Sequence, residues 1–438
     1  MHGKNQSRDF LLSIGARAAT AALAIAVVFA LTVALSQSAQ AQTRTWTEQV
    51  LHSFGNGSDG VNPSGMILDS VGNLYGTTSE GGTYGVGTVF ELTPNGHGGR
   101  IEQVLFNFYG PYGDGPLGGL IFDAAGNLYG TTQSGSDSNL GTVFELTPTA
   151  GGGWTEQVLH NFNGDGYDPL AGLVIDAAGN LYGTTDGGNE DYPYGTVFEL
   201  TPTAGGGWTA KVLHSFNAAD GAYPWFGSLI LDGAGNLYGT TLRGGTYGAG
   251  VVFELTPTME GNWTETVLHS FSQNGTDGYF PFGGVIFDAT GSLYGTTWIG
   301  GSNDAGTVFE LTPTGDGNWT ETLLHTFGGG TDGANPAAGL IFDAAGNLYG
   351  TTGAGGNYGY GYGTVFELMP NGSGGWTEQI LYNFRNSPDG NDPDTPLVLD
   401  SAGNIYGATG GGGTYGYGTV FELTHASPCA ECSLTALR

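Results

Sequence analysis

Residues 119–148 read GLIFDAAGNLYGTTQSGSDSNLGTVFELTP, and residues 151–162 continue the same unit as GGGWTEQVLHNF. Versions of this unit occur seven times between Trp46 and Thr424. The tyrosine of the Leu/Ile-Tyr-Gly triplet marks the period, with 53 to 57 residues from one to the next: Tyr75, Tyr129, Tyr182, Tyr238, Tyr294, Tyr349 and Tyr406. A fixed period of this size is typical of solenoids, propellers and other repeat arrays.

Each unit contains four short segments with the composition of β-strands. In the third unit they are residues 172–176, 180–185, 195–201 and 208–216, which are rich in the β-branched and aromatic residues that strands favour. Glycine, aspartate and proline separate the segments, and these residues suit the tight turns between antiparallel strands. The pattern therefore predicts four antiparallel strands per unit and no helix.

The two ends of the repeat array complement each other. Residues 46–54 supply a lone fourth strand, whereas residues 393–424 supply the first three strands of a unit without its fourth. We therefore predict an all-β fold, a seven-bladed β-propeller of four-stranded antiparallel blades, with the N-terminal strand 46–54 completing the last blade and closing the ring. A linear β-solenoid is the main alternative, but its coils are usually shorter and parallel.

The chain outside the repeats has a different composition. Residues 1–41 carry three cationic side chains before and at the start of an apolar run and end in Ala-Gln-Ala, which is typical of a secretory signal peptide with its cleavage site. A retained membrane anchor is the alternative, although the run is short for a spanning helix. The expected mature chain has a short lead-in at 42–45, the propeller at 46–424 and a C-terminal tail at 425–438. Its predicted location is extracellular or at the cell surface, with the periplasm as an alternative.

Acidic residues dominate the charge of the chain, with 40 Asp and Glu against 9 Lys and Arg and a formal net charge of −31. Nucleic acids and anionic membranes are therefore poor partners, although surplus acid can also serve solubility alone. Cys429 and Cys432 form a Cys-x-x-Cys in the tail. In an exported protein this pair favours a local disulfide over a zinc site, which would need two further ligands.

Residues that recur in every unit are expected to build the blades. The tryptophan of the fourth strand should pack between neighbouring sheets, and the glutamate of the Phe-Glu-Leu triplet should form hydrogen bonds between blades. Phe106 and Tyr382 occupy one position that is histidine in the other five units: His52, His160, His214, His269 and His325. Because aromatic residues replace them, we interpret these histidines as packing residues rather than metal ligands.

The segment between each fourth strand and the next unit carries Asp-Gly followed by proline. In a propeller these segments emerge on the same face as the loops between the second and third strands, around the mouth of the central channel. Seven carboxylates there could bind Ca²⁺ or another hard cation, and no other cofactor is expected. The alternative is ordinary turn chemistry, because no segment has the denser Asp spacing of a dedicated calcium loop. The seven residues are Asp59, Asp114, Asp165, Asp220, Asp277, Asp332 and Asp389.

A binding site on a repetitive scaffold is expected where the repeat varies, and the loops between the second and third strands vary most clearly. Units one, six and seven, which ring closure makes neighbours, have loops rich in tyrosine and glycine. We predict a ligand-binding patch there, because phenol rings can stack on sugars or engage peptides, with compact turns as the alternative. Its residues are Tyr84, Tyr358, Tyr360, Tyr362, Tyr415 and Tyr417. Two basic residues, Arg243 and Arg385, are also expected in loops of this face.

The motifs Asp-x-x-Gly-Asn-Leu-Tyr-Gly-Thr-Thr and Gly-Thr-Val-Phe-Glu-Leu-Thr-Pro resemble the GloVer tandem repeat over about residues 46–424. The resemblance implies an exported bacterial protein of β-propeller-like repeats, and it brings no catalytic residues with it.

The sequence favours a secreted or cell-surface module, expected to be a monomer, that binds an extracellular glycan or protein without catalysis. The second hypothesis is an extracellular lyase or hydrolase that acts on polysaccharide, because propellers host both binding proteins and enzymes. No Ser-His-Asp order in a nucleophile turn and no metal-spaced histidine cluster occurs in the sequence. A structural surface or matrix protein is the third hypothesis.

Overall fold

A computed structural model describes residues 45–425, apart from residues 56, 189–192, 316 and 359–360. Residues Trp46–Thr424 form one compact unit. The predicted signal peptide and disulfide, and Tyr360 of the predicted patch, lie outside the described residues.

Seven four-stranded antiparallel sheets form the blades of a ring, which confirms the predicted β-propeller. We name the strands of a blade a to d, from the central channel outward. The a strands are Ile67–Leu68, Ile121–Phe122, Val174–Ile175, Ile230–Leu231, Ile286–Phe287, Ile341–Phe342 and Val398–Leu399. The b strands are Leu74–Glu80, Leu128–Thr132, Leu181–Thr185, Leu237–Thr241, Leu293–Thr297, Leu348–Thr352 and Ile405–Thr409. The c strands are Thr88–Pro94, Thr142–Pro148, Thr196–Pro202, Val251–Pro257, Thr307–Pro313, Thr364–Pro370 and Thr419–His425. The d strands are Arg100–Asn107, Trp154–Asn161, Trp208–Ser215, Trp263–Ser270, Trp319–Thr326, Trp376–Asn383 and Trp46–Ser53.

Three further short strands and two 3₁₀ turns lie in the loops of the described part. The strands are Val61–Pro63, Gly278–Tyr279 and Ile299–Gly300, and the turns are Gly110–Tyr112 and Gly330–Asp332. In the portion of the chain that the structure describes, no helix has the length and apolar character needed to cross a bilayer.

The Asp-x-x-Gly motif forms the turn between strands a and b. In blade two, Asp123 Oδ1 accepts hydrogen bonds from the N–H groups of Ala125 and Asn127 at 2.8 and 2.9 Å. Gly126 has a φ of +88°, a left-handed conformation that glycine adopts without a steric penalty. The turn chemistry of the sequence thus fixes the start of strand b.

The N-terminal strand closes the ring as predicted. Trp46–Ser53 is strand d of blade seven and lies beside Thr419–His425, which is strand c. Next to this pairing, the Phe54 N–H donates to the Gly418 carbonyl at 3.1 Å, and the Thr414 N–H donates to Ser53 Oγ at 2.9 Å. The edge that strand c of blade seven would otherwise expose is therefore paired.

The hydrophobic core lies between neighbouring blades. At each junction a phenylalanine that follows strand d meets the phenylalanine of the next blade's Phe-Glu-Leu triplet. The ring centroids are 5.0 to 5.2 Å apart in an edge-to-face arrangement: Phe54 with Phe90, Phe108 with Phe144, Phe162 with Phe198, Phe216 with Phe253, Phe271 with Phe309, Phe327 with Phe366, and Phe384 with Phe421. Such pairs contribute about 0.5–1.5 kcal/mol each beyond the area they bury, so the junctions hold the ring together.

The predicted packing of the strand d tryptophans is confirmed. Trp154 of blade two lies against Tyr75 of blade one, with ring centroids 6.3 Å apart. Three further tryptophans make the same contact with the preceding blade at 6.2 to 6.3 Å: Trp208, Trp263 and Trp376.

The glutamate of the Phe-Glu-Leu triplet is bonded within its blade, so the expectation of hydrogen bonds between blades is wrong. Glu91 accepts a hydrogen bond from the Tyr75 hydroxyl at 2.7 Å, and the register places these two residues opposite each other on strands c and b of blade one. The other six blades repeat the bond at 2.7 to 3.1 Å.

The segments between strands d and a lie beside the b–c loops on one face, as predicted. Gly278–Tyr279 pairs with Ile299–Gly300, and Val61–Pro63 pairs with strand b of blade one. Single antiparallel bridges join the same two regions in other blades: Asp114 with Ser134, Tyr167 with Gly187, Ala222 with Arg243, Ala334 with Ala354, and Asn391 with Gly411. We call this face of the ring, around the open channel, the mouth.

Candidate ligand site at the channel mouth

The central channel contains a cavity of about 440 Å³ at the mouth. The segments that lead from strand d of one blade into strand a of the next line this cavity, and all seven blades contribute to it. Its volume lies within the range of pockets that hold small organic ligands.

A residue in the left-handed conformation shapes each lining segment. It directly precedes a proline in every blade, with φ between +52° and +66°: Asn62, Gly115, Asp168, Tyr223, Phe280, Asn335 and Asp392. In blade six, the Asn335 N–H donates to the Ala305 carbonyl of the preceding blade at 2.8 Å, and the Gly353 N–H donates to the Asn335 carbonyl at 3.0 Å. This conformation is unfavourable for residues with bulky side chains, so the bonds to two blades hold the mouth in a defined shape.

Blades four and five place aromatic side chains at the mouth. The Phe282 ring lies 5.3 Å from that of Phe226 and 5.1 Å from that of Trp225. Trp298, on the b–c loop of blade five, lies 5.9 Å from Phe282 and is 38 % exposed. At the position of Trp225 and Phe282, the other blades have smaller or polar residues: Ser64, Leu117, Leu170, Ala337 and Asp394. We call Trp225, Phe226, Phe282 and Trp298 the aromatic surface.

Arg243 lies at the mouth, on the b–c loop of blade four. Its guanidinium carbon lies 4.7 Å from the centroid of the Phe280 ring, within the range of a cation–π contact. The basic residue that the sequence predicted on this face therefore lies beside the mouth.

Blades seven and one line the same cavity with polar side chains. Asp394 and Thr395 belong to blade seven, and Asn62 and Ser64 belong to blade one. Asp394 is an exposed residue of the cavity lining, but surrounding protein, together with the nearby Asp392 carboxylate, raises the pKa of Asp394 to about 7. Asp394 can thus donate or accept hydrogen bonds near neutral pH. We call Asn62, Ser64, Asp394 and Thr395 the polar wall.

A series of hydrogen bonds between blades is interrupted at the polar wall. In five blades a strand b threonine donates through Oγ1 to a backbone carbonyl of the next blade's lining segment at 2.9 to 3.3 Å: Thr77, Thr131, Thr184, Thr240 and Thr296. The buried Oγ1 of Thr351 in blade six has no hydrogen-bond partner, and blade seven has Ala408 at this position. Thr395 Oγ1 instead donates to the Ala408 carbonyl at 3.2 Å. The lining segment of blade seven is therefore held differently from its counterparts.

The predicted tyrosine patch lies outside this cavity. Tyr362 packs into the core between blades six and seven, and the ring of Tyr84 lies 5.0 Å from that of Tyr109. Four of the tyrosines are between 44 and 62 % exposed: Tyr84, Tyr358, Tyr415 and Tyr417. None of the five described members is among the residues that line the cavity. Whether these side chains bind a ligand stays a prediction.

The tyrosine loops are also less localised than the sequence suggested. Blade four carries the same Gly-Gly-Thr-Tyr-Gly loop, and its Tyr247 is 64 % exposed. The same loop sequence therefore occurs in blades one, four and seven, and blade four does not adjoin the other two.

Six of the seven Asp-Gly aspartates contact a side chain of the preceding strand d, and none of the seven lines the cavity. Five approach a histidine Nε2 at 2.8 to 3.9 Å: Asp59, Asp165, Asp220, Asp277 and Asp332. Asp389 is fully buried and accepts hydrogen bonds from Arg385 Nε at 2.9 Å and from the Tyr382 hydroxyl. Asp114 follows the strand that has Phe106 in place of histidine.

The histidines pack as expected, and they also face these aspartates. The His52 ring lies 4.6 Å from the Phe54 ring, and His160, His214, His269 and His325 repeat the contact at 4.7 to 4.8 Å. Burial lowers the pKa of His52, His269 and His325. Each of these histidines is therefore a packed ring with one nitrogen beside a carboxylate.

The aromatic surface was missed by sequence reasoning, although a signal for it exists. Trp225 and Phe282 follow the prolines that all seven lining segments share, where other units have Leu117 or Leu170. Aligning the units on that proline shows the substitution. Phe282 lines the cavity and Trp225 packs against it; this arrangement depends on the left-handed residue before each proline, which the sequence does not reveal.

The chain matches the Gloeobacter/Verrucomicrobia repeat three times, over residues 28–191, 102–286 and 227–432. The sequence matches no curated protein. Among solved structures, it is similar to the extracellular domain of a protein assigned as a hybrid two-component system from B. thetaiotaomicron, with a TM-score of 0.52 and 14 % identity. This match covers 85 % of the chain and 39 % of that protein's chain, and at such low identity it shows the fold alone. The three repeat matches together span the whole propeller, and the protein belongs to the Gloeobacter/Verrucomicrobia repeat family.

Proposed function

We propose that this protein is an exported binding module that takes an extracellular glycan at the mouth of its channel. One observation carries the proposal: the aromatic surface and the polar wall border a single cavity, to which Phe226 and Phe282 contribute from one side and Asp394 and Asn62 from the other. Aromatic faces pack against the C–H groups of sugar rings, while carboxyl and amide groups bind sugar hydroxyls. The signal-like N-terminus supports export, and a similar fold in an extracellular domain is in keeping with it.

The ligand we propose is the end of an oligosaccharide. A cavity of about 440 Å³ admits a small ligand rather than a folded partner. The excess of acidic residues favours a neutral or cationic glycan over an anionic one.

A glycan array followed by calorimetric titration of the bound glycan tests this proposal. The test variants are Phe226→Ala and Phe282→Leu, because the equivalent positions hold Ala171 and Leu170 in another blade, so both changes should be tolerated by the fold. Each variant should bind about 2- to 13-fold more weakly, since losing one aromatic contact costs about 0.5–1.5 kcal/mol.

Tyr247→Ala is the matched control, because Tyr247 is an exposed aromatic residue of the same blade as Phe226 but, unlike Phe226, is not among the residues that line the cavity. Its affinity should equal that of the unaltered chain. Equal affinities in all variants, or an array that captures no glycan, would rule out the mouth as a glycan site. A loss in the Tyr84→Ala and Tyr415→Ala variants instead would transfer the function to the tyrosine loops.

A polysaccharide-cleaving enzyme is the second candidate, and one observation favours it. The pKa of Asp394 is about 7, and an acid with such a pKa can transfer protons near neutral pH. Incubation of the chain with the bound polymer, followed by detection of new chain ends, distinguishes the two functions. Turnover that disappears in Asp394→Asn would establish catalysis, whereas binding without turnover supports the module.

A further inference from the structure

The blade junctions bring a glutamate of one strand d close to the His–Asp pair of the preceding blade. At the junction of blades four and five, His269 Nε2 lies 3.7 Å from Glu321 Oε1 and 3.9 Å from Asp277 Oδ2. The next junction repeats the group with His325, Asp332 and Glu378. In both groups, one ligand atom from each residue lies within 4.8 Å of the other two.

Three atoms of the first group are buried and have no hydrogen-bond partner: His269 Nε2, Asp277 Oδ1 and Glu321 Oε1. The Asp277 side chain is only 10 % exposed. Ser272 donates to its other oxygen, Oδ2, from both the N–H and the hydroxyl, at 2.9 and 3.0 Å, and so orients the carboxylate. Buried polar atoms normally have partners, so these three atoms together indicate a place for a ligand.

In the first group the separations suit a shared metal ion better than a direct contact, and in the second group His325 Nε2 and Asp332 Oδ1, 3.2 Å apart, already lie near the spacing of two ligands of one ion. At 3.7 and 3.9 Å, His269 Nε2 is too far from both carboxylates for a hydrogen bond. A tetrahedral zinc ion with bonds of about 2.0–2.2 Å holds its ligand atoms about 3.3–3.6 Å apart. Small side-chain adjustments would therefore let all three residues bind one ion.

The ionisation of Glu321 and His269 also favours a metal ion as the ligand. Burial and the nearby Asp277 carboxylate raise the pKa of Glu321, and burial lowers the pKa of His269. The junction thus disfavours a second carboxylate charge and a protonated imidazole. A divalent cation would stabilise both the ionised glutamate and the neutral histidine.

Another junction of the same ring supplies its own cation. Between blades six and seven, where Tyr382 replaces histidine, Arg385 Nε donates to Asp389 Oδ2 at 2.9 Å. Four junctions have histidine, aspartate and glutamate at these positions, and among the described residues the ligand atoms converge within 4.8 Å at two of them. At these two junctions the residues that correspond to Arg385 are Ser272 and Gly328. A guanidinium therefore balances the aspartate at the junction of blades six and seven, whereas the two proposed metal sites have no arginine at the equivalent position.

We propose that the His269–Asp277–Glu321 and His325–Asp332–Glu378 groups each bind one divalent metal ion of the zinc class. The ions tie blade four to blade five and blade five to blade six. One imidazole nitrogen and two carboxylate oxygens suit Zn²⁺, whereas Ca²⁺ takes oxygen ligands. The role is structural and is independent of glycan binding at the mouth.

Calorimetric titration of the chelator-treated chain with Zn²⁺ tests the proposal. We expect two sites per chain and a higher melting temperature with Zn²⁺ but not with Mg²⁺, because a ligand that binds only the folded state stabilises it. Co²⁺, which reports its coordination through visible absorption, should show bands that Zn²⁺ removes.

The test variants copy residues that the ring already contains at equivalent positions. His269→Phe reproduces Phe106 and Glu321→Ala reproduces Ala210, so both changes should be compatible with the fold. Each should reduce the stoichiometry from two to one. His160→Phe is the control, because that junction has Ala210 in place of glutamate, and it should retain two sites.

The proposal is overturned if the chain binds no Zn²⁺, or if His160→Phe lowers the stoichiometry as much as His269→Phe. If Glu321 and Asp277 share a proton instead of a metal ion, the chain would bind no Zn²⁺. If a variant does not fold, the unaltered chain decides the question, since cobalt bands that are absent or insensitive to Zn²⁺ also overturn the proposal.

Discussion

The glycine of each Leu/Ile-Tyr-Gly triplet makes room for the phenylalanine of the neighbouring strand. In blade three, Gly183 lies opposite Phe198 in the register of strands b and c. A Cβ at Gly183 would lie 2.6 Å from Phe198 Cζ and 2.8 Å from Leu173 Cδ2. Phe198 in turn packs against Phe162 of blade two, so the absence of one methyl group permits the contact between blades.

We expect Gly183→Ala to lower the free energy of unfolding by about 1–3 kcal/mol, the usual cost of overpacking a core. Urea unfolding followed by tryptophan fluorescence measures the change. Gly205→Ala is the matched control, because a Cβ there meets nothing within 4 Å, and it should change stability by less than about 0.5 kcal/mol. Equal effects of the two substitutions would contradict the packing argument.

At the level of strands, strand d carries a row of glutamates into the junctions. Burial raises the pKa of five of them to about 7: Glu48, Glu102, Glu156, Glu265 and Glu378. The fold holds the proton more tightly than the unfolded chain, whose glutamates titrate near their ordinary value of 4.5. Stability from these groups is therefore present at acidic pH and is lost as the pH rises through their folded pKa values. The histidines with lowered pKa values act in the opposite direction, and only below their ordinary value of 6.5.

Glu156→Gln tests this row of glutamates at a junction without histidine. At the junction of blades one and two, Phe106 takes the place of the strand d histidine. Both Glu156 carboxylate oxygens are buried without a hydrogen-bond partner. Glutamine keeps the shape without the charge, so the variant should melt several degrees higher at pH 8 and about equally at pH 5. Melting curves of the chelator-treated chain at both pH values give the result. Glu260→Gln in an exposed turn should leave both melting temperatures unchanged, and a gain at pH 5 as large as at pH 8 would refute the account.

Much of each blade could be predicted from sequence because it depends on local chemistry. The turn at Asp123 and the end of strand c at Pro148 follow from side chains within a few residues. The contacts that depend on a neighbouring blade were harder to predict. Glu321 meets His269 only because two sheets pack face to face, and Trp225 reaches the mouth only because Tyr223 takes a left-handed conformation.

For the whole molecule, closure of the ring depends on one noncovalent strand pairing. The prediction of that pairing from the lone strand at Trp46 and the incomplete unit ending at Thr424 was possible because a ring must pair every edge. Removal of Trp46–Ser53 would expose the c strand Thr419–His425 at the edge of blade seven.

We expect a chain without residues 46–53 to unfold at a lower temperature and to aggregate, because an unpaired edge strand recruits other chains. Light scattering during thermal unfolding measures both effects. A synthetic peptide of residues 45–54 added in trans should restore part of the melting temperature, and a peptide of the same composition in scrambled order should not. An unchanged melting temperature after the deletion would show that closure contributes nothing to stability.

The strand that closes the ring also sets the direction in which the propeller can be displayed. In blade seven, Trp46 begins strand d and His425 ends the antiparallel strand c beside it. The other end of strand d, Ser53, leads toward the mouth segment that begins at Val61. Trp46 and His425 therefore lie at the strand ends remote from the mouth. Strand d, Trp46–Ser53, has eight residues and spans about 26 Å. Any tether joined to either end of the propeller therefore leaves from the face opposite the cavity. A propeller held on a support through either end would turn its cavity toward the surrounding medium.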